Sequence, residues 1–266
     1  MIPNPSIATF DLANARQCAR ASVAVYGDES GIRKLCQAAG ADCVEVIDCR
    51  ATDTQCFIAA SPQVVLLAFR GTTPTNLRDW ITDAKFRREG GIHRGFLGAW
   101  NSIREHVVCL ISELRREREF PPVFVTGHSL GGALATLAAR AICSDLWVKP
   151  VTYTFGAPRV GDARFAAWFD GALRERTHRV VHEEDPVTRM PFWTMGYRHI
   201  GEEAFLSSFG ALTFDPPLRY KLLSDVWGLL DAYSRGVPAI TRDHCVNLYL
   251  AALEHAWPQC APILHD

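Results

Sequence analysis

Residues 125–139 read VTGHSLGGALATLAA: a β-branched approach, a glycine turn around a histidine and a serine, then a long alanine- and leucine-rich run. Inside it Gly127-His128-Ser129-Leu130-Gly131 is G-x-S-x-G, and the flanks decide what that pattern means. Val123 to Thr126 reads as a buried strand and Gly132 to Ile142 as a helix, so Ser129 stands on a sharp strand-to-helix turn. Such a turn exposes a serine oxygen to a base, excludes side chains that would crowd it, and aims a helix N-terminus at the group under attack. Ser129 is therefore the candidate nucleophile, with Gly127, His128 and Gly131 completing the elbow. His128 points away from Ser129 across the turn and reads as a packed neighbour. A glycine-rich turn with an incidental serine is the competing reading, because bare G-x-S-x-G also arises by chance.

Working outward, Leu12, Ala15, Cys18, Ala19, Ser22 and Val23 at helical spacing behind Asp11 predict an opening helix over 11–25. Residues 42–47, 55–60 and 64–69 are β-rich, the last nearly continuous in apolar residues, as a strand buried on both faces is. An amphipathic helix is predicted over 101–118, from Ile103, Val107, Leu110, Ile111 and Leu114. Beyond the elbow come a strand at 150–155, a helix at 162–173, a strand at 178–182, a late strand at 197–205 and a closing helix at 245–256. This alternation predicts right-handed crossovers and a mostly parallel central sheet with helices on both faces. The chain reads as a single α/β domain over 1–266, with a helical insertion around 206–240 centred on Leu222, Trp227 and Leu230.

Composition removes several function classes. With 48% hydrophobic and 21% charged residues over 266 positions, the chain can bury a sizeable core. Its 28 Lys and Arg against 29 Asp and Glu leave a net charge of −1, with no basic stripe beyond 115–118, so nucleic acid is not an expected partner. The uncharged run from Phe120 to Ala139 has the length of a membrane span, but Pro121, Pro122, Gly127, Gly131 and Gly132 break it, and no transmembrane segment is expected. The N-terminus lacks a basic stretch followed by an apolar one, which reads as cytoplasmic; export by a leaderless route, or with a leader removed, is the alternative. Nine cysteines are odd in number and show no C-x-x-C or Cys/His metal spacing, so neither metal nor cofactor is expected. The thiols read as reduced and buried, although the crowding of Cys36, Cys43, Cys49 and Cys56 would also suit disulfides in a secreted chain.

The stretch VTGHSLGGALATLAA resembles the nucleophile region of the class 3 lipases, and three others agree in order: AFRGTTPTNLRDWITDAKF at 68–86, IHRGFLGAW at 92–100 and TFGAPRVGDARF at 154–165. The resemblance runs over about 64–205 and implies an α/β-hydrolase fold. In that arrangement the acid and then the base follow the serine in the chain. Asp185, immediately after the second strand beyond the nucleophile strand, resembles the family's acid. A solvated acidic loop in which Glu183, Glu184 and Asp185 are interchangeable is the competing reading, and Asp162 reads better as a helix start. Of the histidines beyond Asp185, His244 stands at a loop-to-helix boundary where the family places its base. His199 is the alternative, while His255 and His265 read as structural. The resemblance also assigns an oxyanion hole to the backbone N–H of Leu130 and to Thr72, which ends Phe69-Arg70-Gly71-Thr72. A mere capping role is the competing reading for Thr72.

What the resemblance implies is a serine carboxylic-ester hydrolase acting on acylglycerols and medium-chain esters through an acyl-enzyme. Phospholipase A1 or aryl-esterase activity on the same triad, and a non-catalytic binding protein, are the alternatives. Its partners would be an ester or lipid substrate and, transiently, a lipid–water interface. A lid is expected at 73–80, mostly polar with only Leu77 and Trp80 to enter an interface, so interfacial activation is predicted to be weak. The segment around Trp227 reads equally as acyl pocket, second cover or ordinary helix, and Phe192, Trp193, Met195 and Tyr197 as site lining or core. A Cys18–Cys260 bridge is a further implication of the resemblance.

Overall fold

The Asp11 carboxylate accepts the Asn14 N–H at 2.7 Å and starts helix α1, Leu12–Ala24; Asp28 does the same for Gly31 and starts α2, Glu29–Ala38. The computed structural model describes residues 2–72, 87–182, 185–207, 210–217 and 244–258. Strands β1 (Cys43–Cys49), β2 (Thr54–Ala60) and β3 (Val65–Phe69) follow, then the short pair β4 (Arg88–Glu89) and β5 (Ile92–His93). Helices α3 (Arg94–Asn101) and α4 (Arg104–Glu117) lead to β6 (Val123–His128), α5 (Leu130–Leu146), β7 (Val151–Phe155), β8 (Gly161–Asp162) and α6 (Ala163–Leu173). The chain continues through β9 (Thr177–His182), β10 (Tyr197–Arg198), β11 (Glu202–Leu206), β12 (Ala211–Phe214), α7 (Val246–His255) and β13 (Trp257–Pro258).

The nine-stranded sheet runs β1-β2-β3-β6-β7-β9-β11-β12-β13. Its centre, β3 through β11, is parallel throughout, while β1, β2 and β3 pair antiparallel at one side and β11 with β12 at the other. A smaller antiparallel sheet, β10-β8-β5-β4, sits apart from it. This is an α/β-hydrolase fold. The alternation of side chains along each central strand divides the interior into two layers. Val65, Leu67, Phe69 and Val125 pack with α3, α4, α5 and α6 on one face, whereas Leu66, Ala68, Phe124 and Tyr153 pack with α1, α2 and α7 on the other. Helix α5 is buried along its length from Gly131 to Ile142 except for Arg140, so it is apolar almost all round, and its N-terminus is fixed against the sheet.

Several elements differ from the sequence expectation. The run 197–205 is two strands in different sheets: β10 pairs with β8, the chain turns through Gly201, whose φ is +66°, and β11 then joins β9. The region expected to be a helical insertion opens instead as strand β12, antiparallel to β11; its remainder, 218–243 with Trp227, lies outside the described residues. The helix predicted over 101–118 begins at Arg104, and α3 precedes it as a separate helix. Helix α2, which the sequence reading did not assign, buries only Ile32 and Cys36. The expected lid at 73–80 also lies outside the described residues.

Candidate active site

Strand β6 ends at His128 and α5 begins at Leu130, leaving Ser129 alone at the turn with φ 58° and ψ −126°. That is a strained backbone for a side chain larger than glycine, held in place by the Ser129 N–H bond to the Phe155 carbonyl at 2.9 Å. The elbow admits no side chain on either flank. A Cβ on Gly127 would collide with the Gly131 carbonyl, and one on Gly131 with the carbonyl of Phe69 on β3.

Two residues from distant parts of the chain meet Ser129 there. The Ser129 hydroxyl lies 2.8 Å from His244 Nε2, and His244 Nδ1 lies 2.9 and 2.8 Å from the two carboxylate oxygens of Asp185. Ser129 and Asp185 are wholly buried and His244 nearly so. A carboxylate that accepts the Nδ1 proton leaves Nε2 as an acceptor for the serine O–H, which is the tautomer a general base needs. Asp185 is held by its own turn: Oδ1 accepts the Val187 N–H at 2.9 Å, and the Thr188 hydroxyl donates to the Asp185 carbonyl at 2.8 Å. The acid is therefore fixed at one position of its loop, whereas Glu183 and Glu184 lie outside the described residues.

Sequence reasoning missed two further residues. The Tyr249 hydroxyl, on α7, donates to Asp185 Oδ2 at 2.6 Å and accepts the His182 N–H at 3.2 Å. Gly156, at φ +58°, sits where carboxylate, imidazole and phenol converge: a Cβ there would lie 2.5 Å from Asp185 Oδ2 and 3.1 Å from both His244 Nδ1 and Tyr249 Oη. Gly156 lies inside the quoted stretch 154–165, whereas no motif in the sequence marks Tyr249.

His128 does turn away from Ser129, yet it is more than packing. Its Nε2 meets the His244 carbonyl at 2.7 Å, and its Nδ1 meets the Tyr26 hydroxyl at 3.0 Å. Burial, and next the neighbouring His244, push the His128 imidazole well below its ordinary range, so it stays neutral. Neutral His128 then donates from Nε2 to the main chain of His244 and accepts the Tyr26 O–H at Nδ1. Tyr26, pushed up to about 12 by burial, also bonds the Gly71 backbone, which ties the end of β3 to the same network. His199 bonds the Thr188 carbonyl at 2.8 Å and His255 closes α7, so neither is the partner of Ser129; His265 lies outside the described residues. Asp162 caps α6 through the Arg164 and Phe165 N–H groups, both at 3.0 Å.

Thr72 and Leu130 line, together with Ser129, a cavity of about 260 Å³ walled by His93, Phe96 and Val187. Leu130 opens α5, so its N–H falls outside that helix's own ladder. His93 stacks on Phe96 with ring centres 4.2 Å apart, and burial pushes its imidazole down to about 4, so it enters the cavity uncharged. Leu77 and Trp80 lie outside the described residues. Of the aromatic group read as site lining or core, only Tyr197 is buried; Phe192, Trp193 and Met195 are 51%, 64% and 38% exposed, which overturns the core reading for those three.

None of the eight described cysteines is bonded to another, with Cys18, Cys36 and Cys56 buried and Cys260 outside the described residues. Burial pushes the Cys36 thiol up to about 11, and those of Cys18 and Cys56 higher still. Among the described residues no group of His, Cys, Asp or Glu is placed to hold a metal ion, and no helix is long and apolar enough to cross a membrane.

A family model described as "Lipase (class 3)" matches residues 66–195. The chain is 36% identical over 149 residues to the secreted mono- and diacylglycerol lipase 1 of Fusarium solani, covering 53% of this chain and 44% of that protein. It is 32% identical over 170 residues to the secreted mono- and diacylglycerol lipase A of Penicillium cyclopium, covering 60% and 54%. The chain thus spans about half the length of these relatives. Among solved structures, the mono- and diacylglycerol lipase from Aspergillus oryzae superposes with a TM-score of 0.63 at 28% identity, over 75% of this chain and 81% of that one.

Proposed function

We propose that the chain is a class 3 lipase and a serine carboxylic-ester hydrolase, cleaving acylglycerols and medium-chain esters through an acyl-enzyme. Ser129 attacks the ester carbonyl as His244 Nε2 takes its proton, and Asp185 stabilises the imidazolium that forms. The oxyanion rests on donors from Leu130 and Thr72, each contributing about 3 to 4 kcal/mol to the transition state. His244 then protonates the leaving alcohol, and water repeats the sequence on the acyl-enzyme. The observation that carries this reading is the buried line of contacts from Ser129 Oγ to His244 at 2.8 Å and on to Asp185 at 2.8 and 2.9 Å.

Mono- and diacylglycerols are the favoured substrates, because they are what the relatives' names state. Transient contact with a lipid–water interface is supported by the exposed Phe192, Trp193 and Met195, which lie a few residues past Val187 in the cavity wall. Both relatives are named as secreted, so export is the compartment proposed here, and the cytoplasmic reading of the N-terminus draws no support from them.

Hydrolysis of 4-nitrophenyl butyrate by the protein and by Ser129→Ala tests the proposal. Turnover by the parent and its loss in the variant is the expected result; equal rates would remove Ser129 from the reaction. A series from acetyl to octadecanoyl esters, read below and above substrate solubility, then locates the preferred chain. A sharp rate jump at the solubility limit would contradict the weak interfacial activation expected of a polar cover.

A further inference from the structure

A second hollow, of about 690 Å³, adjoins the cavity of Ser129 and shares Thr52, His93, Gly95 and Ala99 with it. What distinguishes it is charge, because Arg87 and Arg94 both line it. The two are set side by side by the β4–β5 hairpin, whose base is closed by the Arg94 N–H bonding the Arg87 carbonyl at 2.8 Å. The next arginine in the chain faces elsewhere: Arg88 donates to the Gly196 carbonyl at 3.2 Å and lies over the Tyr197 ring. Arg70 and Arg104, the described arginines on either side in sequence, are each neutralised by a carboxylate, Asp53 at 2.5 Å and Asp145 at 2.8 Å. Among the described residues neither Arg87 nor Arg94 has such a partner, so two guanidinium groups stand on the wall of the groove. Neutral His93 and the apolar Phe96 separate them from Ser129, so the pair is remote from the reacting carbonyl yet within one continuous depression.

We propose that this groove receives an anionic group of the substrate, so that the protein prefers acyl esters carrying a phosphate or carboxylate remote from the scissile bond. The inference rests on the ester-hydrolase reading and narrows its substrate class. Guanidinium is the side chain best matched to such oxyanions, because its planar donors reach two oxygens at once. In a partly open groove the attraction is screened by salt, over about 30 Å at 0.01 M but only about 3 Å at 1 M, which gives the preference a signature that shape alone lacks.

The test uses two substrate pairs at concentrations where all are monomeric. One carries the charge on the alcohol side, dihexanoyl phosphatidic acid against dihexanoylglycerol; the other carries it on the acyl side, 4-nitrophenyl hydrogen adipate against 4-nitrophenyl butyrate. At low salt the anionic member of at least one pair is expected to show a kcat/KM about tenfold above its neutral partner's, and which pair responds tells headgroup from acyl charge. That advantage should vanish at 1 M salt and in Arg87→Gln/Arg94→Gln, should return in part with lysine at both positions, and should lie in KM. Butyrate hydrolysis by the double variant should stay within about twofold of the parent. No charge preference in either pair, or one that survives high salt or the glutamine substitutions, overturns the proposal. If the double variant loses butyrate hydrolysis as well, the salt titration of the unaltered protein decides. Loss of butyrate turnover in the parent would instead be a failure of the underlying hydrolase reading.

Discussion

Replacing Tyr249 by phenylalanine takes one oxygen from the centre of the site and leaves the ring in place among Phe155, His128 and His182. Two hydrogen bonds go with it: the 2.6 Å donation to Asp185 Oδ2 and the acceptance of the His182 N–H at 3.2 Å. A bond to a charged group contributes about 1.5–3 kcal/mol and a neutral one about 1, so the variant should lose roughly 2–4 kcal/mol of stability. For a chain of this size that is a fall of roughly 4–16 °C in Tm. Activity should respond in its pH profile more than in its maximum. With the phenol gone, the carboxylate keeps more of its negative charge for the imidazolium, which raises the affinity of His244 for a proton. The acid limb of kcat/KM should therefore move to higher pH, while the plateau, still served by Asp185 and His244, falls by less than about tenfold. Calorimetry and a pH series with 4-nitrophenyl butyrate measure both. An unchanged Tm, or an acid limb that moves to lower pH, would refute this account of how Asp185 is held.

Two other perturbations follow from the same geometry. Gly156→Ala places a methyl group 2.5 Å from Asp185 Oδ2 at a φ of +58°, so carboxylate and imidazole must part; misplacement of about 1 Å costs on the order of a hundredfold in kcat, and near-parental turnover in a folded variant would contradict the packing described. His93 and His178 are buried, and burial holds both imidazoles down to about 4. An unfolded chain binds those protons near 6.5, so between these values it carries more protons than the folded one; the stability is whole above about pH 6.5 and is lost as pH falls toward 4. Urea unfolding should report roughly 4 kcal/mol less stability at pH 5 than at pH 7 from the two rings together, and an unchanged midpoint would count against their neutral burial.

What the sequence disclosed, and what it withheld, divides by range. The elbow was legible because its requirement is local: Gly127 and Gly131 are forced by the turn around Ser129, and strand, turn and helix are contiguous in the chain. The central strands announced themselves because burial on both faces demands continuous apolar residues, as in Val65–Phe69. Asp185 and His244 came from the order of motifs in a family, not from spacing, since their contact spans 59 residues and leaves no periodic trace. Tyr249 joins Asp185 across 64 residues, and nothing in a helix of mostly apolar side chains marks one hydroxyl as a partner for a distant carboxylate. The smaller sheet was invisible because its strands are two residues long and carry no alternation. Helix α3 was hidden by Gly95 and Gly98, which lower helix propensity while Phe96 and Trp100 anchor it by burial. The turn at Gly201 divided what read as one late strand.

The central claim is that Ser129 is activated by His244 and by no other group, and active-site titration with a 4-nitrophenyl alkylphosphonate tests it most directly. The reagent should release one equivalent of nitrophenol, peptide mass mapping should find the phosphonate on Ser129 alone, and His244→Ala should label at least about a hundredfold more slowly. A label on any other residue, or a His244→Ala protein that reacts at the parental rate, would contradict it.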